Sequence, residues 1–81
     1  MKKYEKQIES VASELSWMAV NGDTDSYLIC WSPDWSRLTI NDKYDYNIID
    51  SEYVIGDICL NVYSEYKDIV ENIEFLLYWW E

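Results

Sequence analysis

The sequence predicts an α+β domain: an N-terminal helix, an antiparallel sheet of three or four strands, and a C-terminal helix packed on one sheet face. Three observations predict it. Apolar residues recur at three- and four-residue spacing near both ends of the chain, the middle is rich in β-branched and aromatic residues interrupted by turn chemistry, and 81 residues make one domain and not two.

Tyr4, Ile8, Val11, Ala12, Leu15, Met18 and Ala19 recur with helical period between polar Lys6, Glu9, Ser10, Ser13 and Glu14, which predicts an amphipathic first helix. Asn21-Gly22 ends it, because glycine takes the left-handed conformation a helix terminus needs, and Asp23-Thr24-Asp25-Ser26 continues as loop. Tyr27 to Trp31 reads as a strand, Ser32-Pro33-Asp34 as a turn, and Arg37-Leu38-Thr39-Ile40 as a returning strand, so the pair is a β-hairpin. Asn41-Asp42-Lys43 supplies a second turn, and Tyr44 to Ile49 a third, more polar strand whose alternating Asp45 and Asn47 give it one solvent-facing side. Residues 50 to 63 fit a helix or a strand, and the alternation of Ile58, Leu60 and Val62 favours a strand from Asp57 to Tyr63. Tyr66, Ile69, Val70, Ile73, Leu76, Leu77 and Trp80 form the apolar face of the C-terminal helix, opposite Glu65, Asp68, Glu71 and Asn72, with Ser64 as its N-cap.

Apolar residues make up 49% of the chain and aromatics 17%, far more than a disordered acidic tail carries, so burial can offset the ordering entropy. Five tryptophans and eight tyrosines supply that burial, since each large ring covers roughly 150–250 Å². They cannot all point inward. Trp79 and Trp80 are adjacent on a helix, and Trp31 and Trp35 flank a turn. An exposed ring beside carboxylates would grip an arginine-bearing surface by cation–π contact and charge-assisted hydrogen bonds.

Formal net charge is −10, and three of the six basic residues (Lys2, Lys3, Lys6) precede Gln7. After that point Arg37, Lys43 and Lys67 stand against all but one of the sixteen carboxylates. Such a field repels nucleic acid and anionic membranes and attracts cationic protein surfaces. With no histidine, no glycine-rich phosphate loop and no nucleophile beside a base, the sequence offers no catalytic constellation, and an enzyme is not expected. Nor is a metal or cofactor: Cys30 and Cys59 are two isolated thiols, and Asn21-Gly22-Asp23-Thr24-Asp25 lacks the ligand order of a calcium loop. Both cysteines are expected to be buried and reduced. The lysine-rich start runs into Glu5 and Glu9 instead of an apolar stretch, and the apolar run from Phe75 to Trp80 is too short to span a bilayer, so a cytoplasmic location is expected.

The acids of the middle segment fall at predicted turns and strand edges. Asp34, Asp42, Asp45, Asp50 and Glu52 are the candidate partner-binding carboxylates, and Trp35, beside Asp34, is the candidate anchor.

In its whole composition the chain resembles the small acidic proteins that phages and mobile elements direct against host defences, anti-CRISPR proteins and DNA mimics among them. That resemblance implies carboxylates standing in for nucleic-acid phosphates. The function expected is therefore inhibition of a nuclease or CRISPR effector by occupation of its basic nucleic-acid channel. An immunity protein or antitoxin that neutralises a basic toxin asks for the same charge and is the alternative.

Overall fold

A computed structural model of the protein describes residues 4–31, 37–42 and 53–80. In chain order these form α1 (Glu5–Val20), β1 (Ser26–Trp31), β2 (Leu38–Asp42), β3 (Tyr53–Cys59) and α2 (Tyr66–Trp80). The three strands make one antiparallel sheet with β1 in the centre, order β2-β1-β3. The α+β arrangement with a helix at either end is the one the periodicities predict. The expected third strand, Tyr44 to Ile49, lies outside the described residues.

α1 buries Ile8, Val11, Ala12, Leu15 and Ala19, the stripe its spacing marked out. It ends at Gly22, whose φ of +93° suits glycine alone. The amides of Gly22 and Asp23 reach back to the carbonyls of Ala19 and Met18 at 3.0 Å each, a Schellman closure that satisfies the last turn. Gln7 fastens this helix to the sheet, its Oε1 accepting the N–H of Leu38 at 2.8 Å where β2 begins.

One face of the sheet carries Tyr27, Ile29 and Trp31 from β1, Leu38 and Ile40 from β2, and Ile58 from β3. Ile69, Ile73 and Leu77 of α2 join the α1 stripe over these residues in a single core, so both helices cover the same side. α1 lies against β2 and α2 against β3, and the helices touch each other. The shortest molecular dimension, 18 Å, fits one helix layer on one sheet. β1 is buried along its length from Tyr27 to Trp31, with Leu28 and Cys30 buried on the face away from the helices. A strand covered on both faces reads as an unbroken apolar run, as this one does.

Four local expectations are corrected. Asn41 and Asp42 belong to β2 and not to a turn: they pair with Leu28 and Tyr27, because β1 runs back to Ser26 and β2 follows its length. The strand placed at Asp57–Tyr63 starts and stops four residues earlier, at Tyr53 and Cys59. Its pairing with β1 skips Ile55, a bulge that breaks the alternation, while Asn61 halts the strand. The Asn61 side chain accepts the N–H of Tyr63 and its carbonyl the N–H of Ser64, leaving Val62 and Tyr63 in an exposed turn. Ser64 caps this turn and not the helix, its hydroxyl accepting the Asn61 N–H at 2.9 Å, while the Glu65 carbonyl takes the first helical bond from Ile69. Finally, Cys30 is buried as expected but Cys59 is exposed, at the end of an outer strand and on the face opposite Ile58. Its sulfur shares a hydrogen bond of 2.8 Å with the Ser26 hydroxyl.

Candidate functional site

Asp42 is the one predicted partner-binding residue within the described residues; Asp34, Trp35, Asp45, Asp50 and Glu52 lie outside them. It is exposed at the last position of β2, opposite Tyr27. Antiparallel pairing thereby carries it to the loop that follows α1. There the Tyr27 hydroxyl donates to Asp23 Oδ2 and the Asp25 N–H donates to Asp23 Oδ1 at 2.9 Å. Both bonds favour the charged carboxylate, the tyrosine's most, and hold Asp23 below the usual aspartate range. The same bond, burial of the ring and the charges of Asp23, Asp25 and Asp42 push the Tyr27 phenol up to about 12. Three aspartates thus share one end of the sheet. Asp23 spends both oxygens inside the protein, so this loop closes the helix and its chemistry is structural. The exposed ring of Trp17 stands beside it, over a shallow hollow lined also by Met18, Gly22 and Asp25.

A second acidic region lies where the N-terminal halves of the two helices meet. A groove of about 420 Å³ is lined by Glu5, Ile8 and Glu9 of α1 and by Tyr66, Lys67, Val70, Glu71 and Glu74 of α2. Its floor is apolar, from Ile8 and Val70, and its rim carries four carboxylates against one lysine. Among the described residues no group of three or more acids or thiols converges as metal ligands would. A rim of this kind is suited to a cationic side chain whose stem rests on the floor.

The third feature is a row of rings on α2. Phe75, Tyr78 and Trp79 are 61%, 71% and 70% exposed, on the side of the helix away from Ile73 and Leu77. They touch edge to face, with ring centroids 6.0 Å apart for Phe75 and Trp79 and 5.8 Å for Tyr78 and Trp79. Asp68, Glu71 and Asn72 continue the same side toward the helix N-terminus, all exposed. A 3.6-residue period places residues 68, 72, 75 and 79 along one line, with 71 and 78 at its edge. Glu71 therefore belongs to both the groove and the row.

Sequence reasoning had placed the anchor in the first turn of the sheet and the carboxylates along its middle segment. It missed the helix acids Glu5, Glu9, Glu71 and Glu74 and the rings of Phe75 and Tyr78, and it left open which of Trp79 and Trp80 faces outward. The signal for the rings was present, since they fall at one- to four-residue offsets opposite the apolar stripe, where polar residues belong. Among the described residues no helix is long and apolar enough to cross a membrane. Comparison with protein-family models, with curated proteins and with solved structures finds no match to this chain.

Proposed function

We propose that the protein is a binding protein that inhibits a nucleic-acid-handling enzyme, a nuclease or CRISPR effector, by covering its basic nucleic-acid-binding surface with carboxylates. The observation that carries this reading is the distribution of a net charge of −10 over both layers of a thin domain. Asp25 and Asp42 mark one end of the sheet, while Glu5, Glu9, Glu71 and Glu74 line the meeting of the helices. A basic channel evolved for phosphates offers lysines and arginines at close spacing, and dispersed exposed carboxylates meet them wherever the domain lands. A charge of this size also works against the compact state through self-repulsion, a cost that solubility alone does not require.

The test adds the protein in stoichiometric amounts to a panel of purified nucleases and CRISPR effectors and follows cleavage and DNA binding together. The expected result is loss of both activities for a subset of the panel, relieved as salt is raised, because screening weakens the charge pairing. An unchanged panel at stoichiometric protein overturns the reading. Retention of a basic toxin, and of no nuclease, in a pull-down from a host extract would assign the acidic surface to neutralising that toxin.

A further inference from the structure

The rings on α2 and the acids that continue their row present one surface, and its composition says what can cover it. Three rings of roughly 200 Å² each, about two-thirds exposed, come to roughly 400 Å² of aromatic surface, as large as the largest patch on many monomeric proteins. A stable interface needs about 800 Å² from each partner, so the rings supply half and the neighbouring helix surface must supply the rest. That surface is acidic. Asp68 and Glu71 lie on it, one to three turns before the rings. A second copy of this chain would bring the same carboxylates and another net −10 against them, which disfavours self-pairing. A basic surface gains on both halves, since guanidinium groups stack on aromatic faces and fork onto carboxylates, and arginine does both better than lysine.

We infer that the outer row of α2 is the docking element for an arginine-bearing protein surface: Phe75, Tyr78 and Trp79 seat one guanidinium, and Asp68 and Glu71 take another. This rests on the basic-partner reading above and names the element that carries it. Trp79 is the central ring, touching both of the others, and is the anchor. The rings are preassembled by their edge-to-face contacts, so binding orders little that was free before.

The probe is a fluorescein-labelled helical peptide with arginines at four-residue spacing, compared with its lysine and glutamate counterparts by anisotropy titration. The parent should bind the arginine peptide several-fold more tightly than the lysine peptide and leave the glutamate peptide unbound. The pair Phe75→Ala, Trp79→Ala should weaken the arginine peptide by about tenfold or more and erase the preference over lysine. These side chains are exposed, so a circular dichroism spectrum unchanged from the parent should accompany the loss. Tyr63→Ala, at a ring 85% exposed in the turn before α2, should bind like the parent. If the pair binds like the parent, while Trp17→Ala or Asp42→Lys abolishes binding, the basic-partner reading stands and the assignment to α2 is overturned. A parent that binds none of the basic peptides overturns both. If sedimentation shows a dimer that Trp79→Ala converts to monomer, the occupant is a second copy and the arginine assignment is wrong.

Discussion

Tyr27 stands where core and surface meet, its ring buried in the sheet face and its hydroxyl holding Asp23. That one bond ties the end of β1 to the loop that closes α1, and it is written into two titrations of opposite sense. Asp23 is held below its ordinary range, so its contribution is present above the unfolded value near pH 4 and fades as pH falls through the folded one. Tyr27 is raised to about 12, so its contribution is complete below the unfolded value of about 10 and is lost as pH climbs toward 12. Tyr27→Phe removes the phenol and with it the larger of the two bonds that lower Asp23, leaving the Asp25 N–H. Denaturant unfolding across pH should show the stability gap between parent and variant widest between about pH 5 and 9, narrowing on both sides. A gap independent of pH would mean that the bond is not formed. None of this was legible in the sequence, where Asp23 and Asp25 read only as loop, because the pairing depends on the register of two elements the loop joins.

At the scale of elements, Gly56 leaves room on the sheet for a side chain of α2. It pairs with Ile29 across β1, and a Cβ added there would overlap the Leu76 side chain of α2. Gly56→Ala should cost about 1–3 kcal/mol through overpacking. Combined with Leu76→Ala, which vacates the space, it should cost clearly less than the two single losses together, measured by a double-mutant cycle in urea. Strict additivity would place the helix farther from the strand. Both helices were legible because their burial is one-sided and periodic, and β1 because five consecutive apolar residues admit little else. β3 was mis-set because a bulge at Ile55 and an Asn61 turn, both features of backbone pairing, shift its ends without disturbing the apolar count. The aromatic row of α2 was legible only in part: the adjacency of Trp79 and Trp80 required one ring to face out, but Phe75 and Tyr78, left off the apolar stripe, were not read as its neighbours on the outer side of the helix.

For the whole molecule the dominant quantity is charge. With a net −10 on a domain whose longest extent is 32 Å, most acids lie within a few screening lengths of one another at physiological salt. Sodium chloride should therefore raise the unfolding midpoint, by on the order of 5 °C for each kcal/mol of repulsion removed, in thermal scans from low to moderate salt. A midpoint flat with salt would show the acids already neutralised within the fold. Charge was also the part of the candidate site most legible in the sequence, because it is a sum and needs no geometry. Its placement was not, since strand pairing brings Asp42 to the end of the sheet that holds Asp23 and Asp25, and helix packing sets Glu9 and Glu74 on the rim of one groove.

The central position of β1 has a consequence in time. During synthesis α1, β1 and β2 emerge first and can close their hairpin, but the second edge of β1 has no partner until Tyr53–Cys59 appears, and its core face lacks Ile69, Ile73 and Leu77 until α2 follows. At about 5–20 residues per second, the stretch from Trp31 to Leu77 takes roughly 2–10 s to make. For those seconds the most apolar of the three described strands is a half-built template, open to any other strand in reach. The acids that surround it keep like chains apart during the interval, so the same charge that opposes the finished fold protects the unfinished one.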